Sequence, residues 1–207
     1  MRTGIYAITD YSHYSHESVI SITRKLLESG IAMLQYRNKL ADYDTACHQA
    51  AELLVLCQRH DTPLIINDSP DIAVAIGADG VHLGIDDPDC QTTRNMIGPD
   101  MIIGVSCYDD IGLAVTGQKN GANYAAFGAF YSSSSKETTR QPGVFLINQA
   151  KQCLTIPIVA IGGITPENGL PLVNHGADML AIISSLYQAD DPEMACKQFQ
   201  NLFKQTG

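Results

Sequence analysis

Short apolar segments of strand length alternate with helical segments eight times along the 207 residues of this chain. The predicted strands span 4–9, 31–37, 63–67, 80–84, 101–105, 123–130, 158–161 and 179–183. The predicted helices span 17–29, 42–59, 70–76, 89–96, 109–119, 143–152, 165–174 and 191–203. Regular alternation of this kind indicates parallel strands joined by crossover helices. Eight such units close into a (β/α)8 barrel, a TIM barrel, with an open doubly wound sheet as the alternative.

The length and composition of the chain fit one such barrel, and we expect a single (β/α)8 domain over residues 1–207. Hydrophobic residues make up 45% of the chain, which is enough for one well-buried core. The formal net charge is -9, so the chain repels nucleic acid and acidic membrane surfaces. We therefore expect neither of them as a partner.

Cysteine usage and the start of the chain both favour the cytoplasm. The six cysteines are scattered without a Cys-x-x-Cys motif, which fits reduced thiols better than disulfides or a zinc site. The chain passes from Met1 almost directly into an apolar strand, and no apolar stretch is long enough for a signal peptide or a membrane span. We expect a cytoplasmic protein.

Polar and charged residues stand just after the predicted strands, whose interiors are almost all apolar. These groups are Thr9/Asp10, Gln35/Arg37/Lys39, Asn67/Asp68, Asp86/Asp87, Ser106, Ser133–Lys136, Gly162/Gly163 and Ile183/Ser184. In a barrel of parallel strands all of these ends meet on one face, where the active sites of this fold lie. The recurrence of polar groups after strand upon strand predicts a functional site on that face.

Three cations follow predicted strands in this otherwise acidic chain, namely Arg37, Lys39 and Lys136. Arginine offers a planar fork and lysine a point charge, and both suit phosphate. The alternative for each of them is ordinary surface charge. Together they predict a phosphate site.

Two carboxylates, Asp68 and Asp87 (or Asp86 in place of Asp87), follow neighbouring predicted strands. Carboxylates close together repel each other unless a cation lies between them, and oxygen ligands that include phosphate suit Mg²⁺. The alternative is that these residues cap the helices that follow them. Fixed cations combined with Mg²⁺ suit a diphosphate.

Two glycines, Gly162 and Gly163, follow the seventh predicted strand, and Thr165 is a candidate N-cap of the next helix. Glycine lets the backbone turn sharply and approach a ligand, and free amides at a helix N-terminus bind anions. Ile183 and Ser184 follow the eighth strand, and the ends of strands seven and eight often form a phosphate cradle in barrels. This pattern predicts a second site, for a monophosphate.

The two predicted phosphate sites together suggest a reaction. Transfer of a group from a metal-neutralised diphosphate to a phosphorylated acceptor is a natural reaction for such a face.

Other reactive side chains receive a structural interpretation. His13 and His16 have a spacing compatible with metal binding, but no carboxylate or third histidine stands nearby, which favours a solvated loop. Cys107 has no histidine at a neighbouring strand end to activate it, so we expect it to be packed. The serine run that ends at Lys136 is interpreted as a functional loop rather than a disordered linker, because it follows a strand and stops at a lysine.

Taken in chain order, these motifs resemble the thiamine phosphate synthase (thiamine-phosphate pyrophosphorylase) family nearly from end to end. The matching segments are Tyr6-Ala7-Ile8-Thr9-Asp10, Gln35-Tyr36-Arg37-Asn38-Lys39, Ile66-Asn67-Asp68, Gly80-Val81-His82-Leu83-Gly84 with Asp86-Asp87, Gly104-Val105-Ser106, Phe127-Gly128-Ala129-Phe130 with Lys136, Val159-Ala160-Ile161-Gly162-Gly163-Ile164 and Ile182-Ile183-Ser184.

The resemblance implies a transferase that joins hydroxymethylpyrimidine diphosphate to hydroxyethylthiazole phosphate and releases pyrophosphate. It implies a dissociative step, in which diphosphate leaves with the help of Mg²⁺ and the thiazole nitrogen captures a pyrimidinylmethyl cation. On the same basis, Asp68 and Asp87 bind Mg²⁺. The residues implied for the pyrimidine diphosphate are Gln35, Arg37, Lys39, Asn67, Ser106 and Lys136, and those implied for catalysis are Lys136, Ser106, Arg37 and Lys39. The residues implied for the thiazole phosphate are Ser133, Ser135, Gly163, Ile183 and Ser184.

The chain departs from the family pattern at two places. Ser69 stands where the family usually has an arginine, and four serines replace the usual threonines and proline in the loop before Lys136. Serine keeps the hydroxyl group but is less stiff than threonine, so we expect function to be retained with a looser loop.

Three other functions remain as alternatives. A thiazole tautomerase-like isomerase would have no diphosphate to hold, whereas the residues suited to a diphosphate are present. A sugar-phosphate epimerase would need an acid–base pair inside the barrel, and no predicted strand interior supplies one. A non-catalytic barrel that binds thiamine intermediates could lose the metal carboxylates, and both are present. The sequence leaves open whether the protein forms a homo-oligomer.

Overall fold

Eight parallel strands form a closed barrel in chain order, in a computed structural model that describes residues 2–132 and 142–205. The strands are β1 (Gly4–Ile8), β2 (Met33–Tyr36), β3 (Leu64–Asn67), β4 (Gly80–Leu83), β5 (Ile102–Tyr108), β6 (Tyr124–Phe127), β7 (Ile158–Ile161) and β8 (Met179–Ile182). The predicted TIM barrel is confirmed. The open-sheet alternative is wrong, because β1 pairs in parallel with β8 and places Tyr6 beside Ala181.

Helices surround the barrel. In the described residues they are α1 (His16–Glu28), α2 (Tyr43–Arg59), α3 (Pro70–Ile76), α4 (Cys90–Ile97), α5 (Ile111–Lys119), α6 (Phe145–Cys153), α7 (Leu170–Asn174), α8 (Ser184–Tyr187) and α9 (Pro192–Lys204). None of the helices in this part of the chain combines the length and the apolar character needed to cross a membrane.

Both faces of the strands are buried, which explains why the strand sequences read as continuous apolar runs. Successive side chains of a strand point to opposite faces. In β1, Ile5 and Ala7 therefore pack with the helices, whereas Tyr6 and Ile8 belong to a separate cluster inside the barrel. The buried members of this interior cluster are Tyr6, Ile8, Met33, Ile65, Tyr124, Ala126, Val159, Met179 and Ala181.

Aspartate side chains cap several helices, so some predicted helix starts are one residue early. Asp42 accepts a hydrogen bond from the Thr45 amide at 2.8 Å, and Asp89 accepts one from the Thr92 amide at 2.9 Å. Both residues lie just before their helices, in extended backbone conformation. A short polar side chain in this position satisfies an amide that has no partner inside the helix.

The structure differs most from the prediction after β7 and β8. The helix predicted from Thr165 begins at Leu170 instead. Thr165 is not its N-cap, because the Thr165 amide donates to the side-chain oxygen of Asn168 at 2.8 Å in a turn that precedes the helix. After β8 the chain enters α8 at once, a short helix that the sequence patterns did not predict.

Candidate functional site

A cavity of about 610 Å³ opens at the carboxyl ends of the strands, and it collects the predicted site residues of the described chain. Ten of them line it: Gln35, Arg37, Lys39, Asn67, Asp68, Asp87, Ser106, Gly163, Ile183 and Ser184. The remaining three, Ser133, Ser135 and Lys136, fall within 133–141, outside the described residues. Parallel strands of a barrel bring residues that are far apart in sequence onto one face, and this accounts for the convergence.

The cationic side of the cavity follows β2. The Arg37 amide donates to the Thr9 hydroxyl oxygen at 2.9 Å, and that hydroxyl lies 3.2 Å from the Arg37 carbonyl, to which it donates. Thr9 is fully buried at the end of β1, so it fixes the backbone from which Arg37 projects. Lys39, exposed two residues further on, lies 3.5 Å from an Asp68 oxygen. The end of β2 therefore brings two cations to the cavity, and one of them, Lys39, lies beside the Asp68 carboxylate.

The acidic side of the cavity holds Asp68 and Asp87. The Gly84 amide donates to Asp87 at 2.6 Å, which turns this carboxylate inward, whereas Asp86 is exposed. Burial raises the pKa of Asp87, and the nearby Asp68 raises it further. Two carboxylates that disfavour each other's charge gain stability from a cation between them, and an oxygen donor set of this kind fits Mg²⁺.

Asp68 adopts a left-handed backbone conformation, with φ of 63°. Its amide donates to the His82 carbonyl at 2.9 Å, which extends the pairing of β3 with β4 beyond the end of the strand. Asn67, the last residue of β3, precedes this turn and lines the cavity. The turn thus presents an amide and a carboxylate side by side at the end of one strand.

The two glycines after β7 serve a close backbone approach. A Cβ atom on Gly162 would lie 2.2 Å from the Cβ of Ala129, and one on Gly163 would lie 2.3 Å from the Ser132 carbonyl oxygen. Both glycines also have positive φ, at 105° and 59°. The sequence predicted that the backbone at these glycines comes close to a ligand. In the described residues, the backbone there comes close to the loop after β6. Asn168 holds the turn by donating to the Gly163 carbonyl at 3.0 Å.

Polar side chains that the sequence patterns did not single out, Tyr6, His82 and Tyr124, form the floor of the cavity. Within the barrel, Tyr6 and Tyr124 hydrogen bond to each other at 2.8 Å, and His82 lies 2.9 Å from the Tyr124 hydroxyl and 2.9 Å from that of Ser106. Gln35 donates to Tyr6 at 2.7 Å. The barrel interior therefore holds more polar side chains than the almost entirely apolar strand interiors predicted from the sequence. The available signal was the period of two along a strand, which places Tyr6 and His82 on inward-facing positions.

Burial determines the chemistry of this floor. It lowers the pKa of His82 to about 4, only partly opposed by the Asp87 charge, so the imidazole is neutral near pH 7. It raises the pKa of Tyr6 and of Tyr124 above the ordinary tyrosine value, so both phenols keep their protons. The floor is a neutral hydrogen-bonding surface.

Side chains outside the cavity settle other expectations. Cys107 is buried, and burial raises the pKa of its thiol to about 12, which agrees with a packing role. His13 lies 3.0 Å from an Asp10 oxygen. His16 begins α1 rather than belonging to a solvated loop, and it contacts Glu52 at 3.0 Å. The expectation that no carboxylate or third histidine stands nearby is wrong. Asp10 contacts His13, and α2, distant in sequence, brings Glu52 and His48 to His16.

Comparison with known proteins identifies the family. Residues 5–186 match the family model described as thiamine monophosphate synthase. The thiamine-phosphate synthase of Methylobacillus flagellatus is 45% identical over 200 residues, which cover 97% of this chain and 95% of that protein. That of Xylella fastidiosa is 46% identical over 200 residues, covering 97% of this chain and 84% of that protein.

A solved structure agrees with these sequence matches. Thiamine phosphate pyrophosphorylase from Pyrococcus furiosus superposes with a TM-score of 0.88 at 29% identity, covering 99% of this chain and 96% of that one. The family resemblance drawn from the motifs is thus confirmed over nearly the whole length. This chain belongs to the thiamine monophosphate synthase family, and it is an enzyme of the transferase class.

Proposed function

We propose that this barrel condenses hydroxymethylpyrimidine diphosphate with hydroxyethylthiazole phosphate to give thiamine phosphate and pyrophosphate. Membership in the family supports the reaction. The observation that carries the residue assignments is the meeting of cations, carboxylates and backbone glycines around one cavity. We further propose that residues 1–207 form one domain that acts in the cytoplasm on these small molecules, without nucleic acid or membrane as a partner.

The proposed metal ligands are Asp68 and Asp87. Their shared position on the cavity wall and the raised pKa of Asp87 support a cation between them. When bound there, Mg²⁺ would supply positive charge that neutralises the diphosphate and improves it as a leaving group. Asp86 is the weaker candidate, because its side chain is exposed and the Gly84 amide orients Asp87 instead.

The proposed pyrimidine diphosphate site divides into two parts. The first part lines the cavity at the barrel mouth and consists of Gln35, Asn67 and Ser106. Their amide and hydroxyl groups suit the polar edge of a pyrimidine. Arg37 and Lys39 suit the diphosphate, and Lys136 is proposed for it from the sequence alone. Transfer then breaks the bond between the methylene carbon and the diphosphate oxygen, with the electron pair leaving on oxygen. The cations hold the charge that develops on that oxygen.

The thiazole phosphate site is proposed at the ends of β7 and β8. Gly163, Ile183 and Ser184 line this side of the cavity, opposite the carboxylates in chain order around the barrel. Ser133 and Ser135 are proposed as further contacts, on the basis of sequence. The thiazole nitrogen would supply the electron pair for the new bond to the methylene carbon.

The alternatives fit the cavity less well. A tautomerase-like isomerase has no use for Arg37, Lys39 and the two carboxylates. A binding or regulatory barrel has no use for carboxylates poised for a metal. The mass of the protein in solution measures whether it forms a homo-oligomer.

The test follows pyrophosphate release and thiamine phosphate formation together, with both substrates and Mg²⁺. We expect equal amounts of the two products from the unaltered protein. Asp87→Asn should lower kcat/KM at least about a hundredfold, because a metal ligand is lost. Asp100→Asn is the matched control, since Asp100 is exposed and precedes β5, at the opposite end of the barrel. Binding of thiazole phosphate without turnover would contradict the proposal and favour a tautomerase-like or regulatory barrel.

A further inference from the structure

Five buried or half-buried side chains form one continuous hydrogen-bond chain under the cavity. Gln35 Nε2 lies 2.7 Å from the Tyr6 hydroxyl, and the Tyr6 hydroxyl lies 2.8 Å from that of Tyr124. The Tyr124 hydroxyl lies 2.9 Å from His82 Nδ1, and His82 Nε2 lies 2.9 Å from Ser106 Oγ. The two ends, Gln35 and Ser106, both line the cavity. Gln35 of β2 and Ser106 of β5, both proposed above for the pyrimidine, are therefore linked through the barrel interior.

The chemistry of the members gives the chain a direction. The Gln35 amide nitrogen can only donate, so Tyr6 accepts from it, and the Tyr6 hydroxyl proton is then available to donate to Tyr124. In this direction Tyr124 would donate to His82 Nδ1. A neutral imidazole carries one proton, which then stands on Nε2 and is donated to Ser106. Ser106 accepts this bond and keeps its hydroxyl proton for a partner in the cavity.

We propose that this chain sets Ser106 as a hydrogen-bond donor to the pyrimidine, and that Tyr6, Tyr124 and His82 are positioning residues for pyrimidine recognition. The proposal deepens the function proposed above and rests on it for the identity of the ligand. The direction of the chain is a property of the protein by itself. If the hydrogen bonds pointed in the opposite direction, His82 would carry its proton on Nδ1. Ser106 would then donate its hydroxyl proton to Nε2 and would have none left to donate to a ligand.

Room for the central phenol is built into β5. A Cβ atom on Gly104 would lie 1.9 Å from Cζ of Tyr124, so only glycine at that position lets the ring occupy its place between Tyr6 and His82. The rings confirm a fixed arrangement, with His82 stacked on Tyr124 at 5.6 Å and Tyr6 edge-on to Tyr124 at 5.8 Å. Closely packed rings keep the donor and acceptor atoms of the chain within hydrogen-bond distance of one another.

Two substitutions at His82 separate the links of the chain. His82→Gln places an amide nitrogen near the former Nε2 and retains a donor to Ser106, whereas His82→Asn places its polar atoms near the former Nδ1 and loses that donor. We expect His82→Asn to raise the KM for the pyrimidine diphosphate about tenfold more than His82→Gln, with the KM for thiazole phosphate unchanged in both. Tyr124→Phe should raise the same KM without removing any group that lines the cavity.

A direct reading of the tautomer keeps this test independent of activity. Nitrogen-15 chemical shifts of the imidazoles, assigned with the His82→Gln variant, report which His82 nitrogen carries the proton in the free protein. We expect the proton on Nε2. A proton on Nδ1 would overturn the direction of the chain even if the enzyme makes thiamine phosphate. Equal KM values for His82→Asn and His82→Gln would overturn the positioning role. Absence of turnover in the unaltered protein would instead count against the proposed function and leave the tautomer result standing.

A second inference rests on ligand-type side chains outside the cavity, on α1 and α2. His16, His48 and Glu52 place one donor atom each within 4.8 Å of one another. Glu52 contacts both histidines, at 3.0 Å from His16 Nε2 and 3.6 Å from His48 Nε2. His48 and Glu52 stand one helical turn apart on α2. The Tyr11 hydroxyl lies 2.9 Å from His16 Nδ1 and orients the ring so that Nε2 faces the other two.

We infer that this cluster binds Zn²⁺ through two imidazole nitrogens and one carboxylate, with a fourth position open to water. Two histidines and a glutamate are a common zinc ligand set, and a hydrogen bond to the second nitrogen of a ligating histidine fixes its orientation. Such a site would fasten the start of α1 to the middle of α2.

The probe is Zn²⁺ alone, titrated calorimetrically into the reduced full chain that carries Asp87→Asn, so that the cavity carboxylates do not contribute. We expect one micromolar site that is lost in His48→Ala and in Glu52→Gln, and kept in His60→Ala, which alters a histidine at the end of the same helix. Zinc binding that is unchanged by His48→Ala would overturn the assignment, as would the absence of any zinc binding in the parent protein.

Discussion

His82 Nε2 lies 2.9 Å from Ser106 Oγ, so a buried neutral imidazole is the immediate neighbour of a hydroxyl that lines the cavity. The two residues belong to adjacent strands, β4 and β5, whose register places His82 beside Gly104 and Leu83 beside Val105. Burial of the titratable His82 ring at this point makes the stability of the protein depend on pH, in addition to its effect on the neighbouring Ser106.

We expect acidification to destabilise the protein through His82. Its pKa falls from 6.5 to about 4 on folding, because burial disfavours the charged ring. Between pH 6.5 and pH 4 the unfolded chain binds a proton at His82 that the folded protein does not. The free energy of unfolding is therefore unaffected by this group above pH 6.5 and decreases as the pH falls toward 4. The full contribution is about 3 kcal/mol. Urea unfolding at pH 7 and pH 4.5 should show a smaller loss for His82→Gln than for the unaltered protein. Because both proteins share all carboxylates, equal losses would contradict the prediction.

We expect Gly104→Ala to destabilise the barrel and to impair pyrimidine binding together. The added methyl would overlap the Tyr124 ring, with Cβ 1.9 Å from Cζ, so the phenol must move. Overpacking of this kind costs about 1–3 kcal/mol. The measurements are the free energy of unfolding and the KM for the pyrimidine diphosphate.

The double variant Gly104→Ala/Tyr124→Leu is the control for that experiment. It should regain part of the stability, because a smaller side chain makes room for the methyl, but not the KM, because the phenol is gone. Recovery of both would show that Tyr124 has only a packing role.

We expect Thr9→Val to raise the KM for the pyrimidine diphosphate and to lower stability by about 1–3 kcal/mol, since both the Arg37 amide and carbonyl lose a buried partner. Valine has nearly the same shape as threonine, so the change isolates the hydroxyl. Thr9→Ser keeps the hydroxyl and should retain most of the KM and the stability. Values for Thr9→Val equal to those of the unaltered protein would show that Arg37 is held by other contacts.

We expect Lys39→Ala to have opposite effects on two ligands. Lys39 lies 3.5 Å from Asp68 and competes with a metal for that carboxylate, so its removal should tighten binding of Mg²⁺ alone by about threefold. The same change should raise the KM for the pyrimidine diphosphate, because a cation for the diphosphate is lost. Calorimetry with Mg²⁺ in the absence of substrate measures the first effect. Lys119→Ala, at the end of α5 and far from the cavity, is the control.

Much of the fold followed from local sequence, since strand after strand is short, apolar and followed by a helix. The strand ends were predicted closely enough to place Arg37, Asp68 and Ser184 on one face. The reason is that the carboxyl ends of all the parallel strands lie on the same face of the barrel. The start of α7 was predicted wrongly because the Asn168 side chain satisfies the Thr165 amide, and no local pattern distinguishes that turn from an N-cap. Ser133, Ser135 and Lys136 remain predictions.

The sequence by itself determined the barrel and the polar rim, since strand period, helix period and strand-end residues are local features. The tertiary structure decided which polar side chains meet inside the barrel. Tyr6 and Tyr124 are 118 residues apart and touch only because strand register and barrel closure bring their inward faces together. The grouping of His16 with Glu52 likewise depends on how α1 packs beside α2. Contacts between side chains across a barrel depend on how segments far apart in the chain are placed relative to each other. The residue pattern within one segment carries no information about that placement.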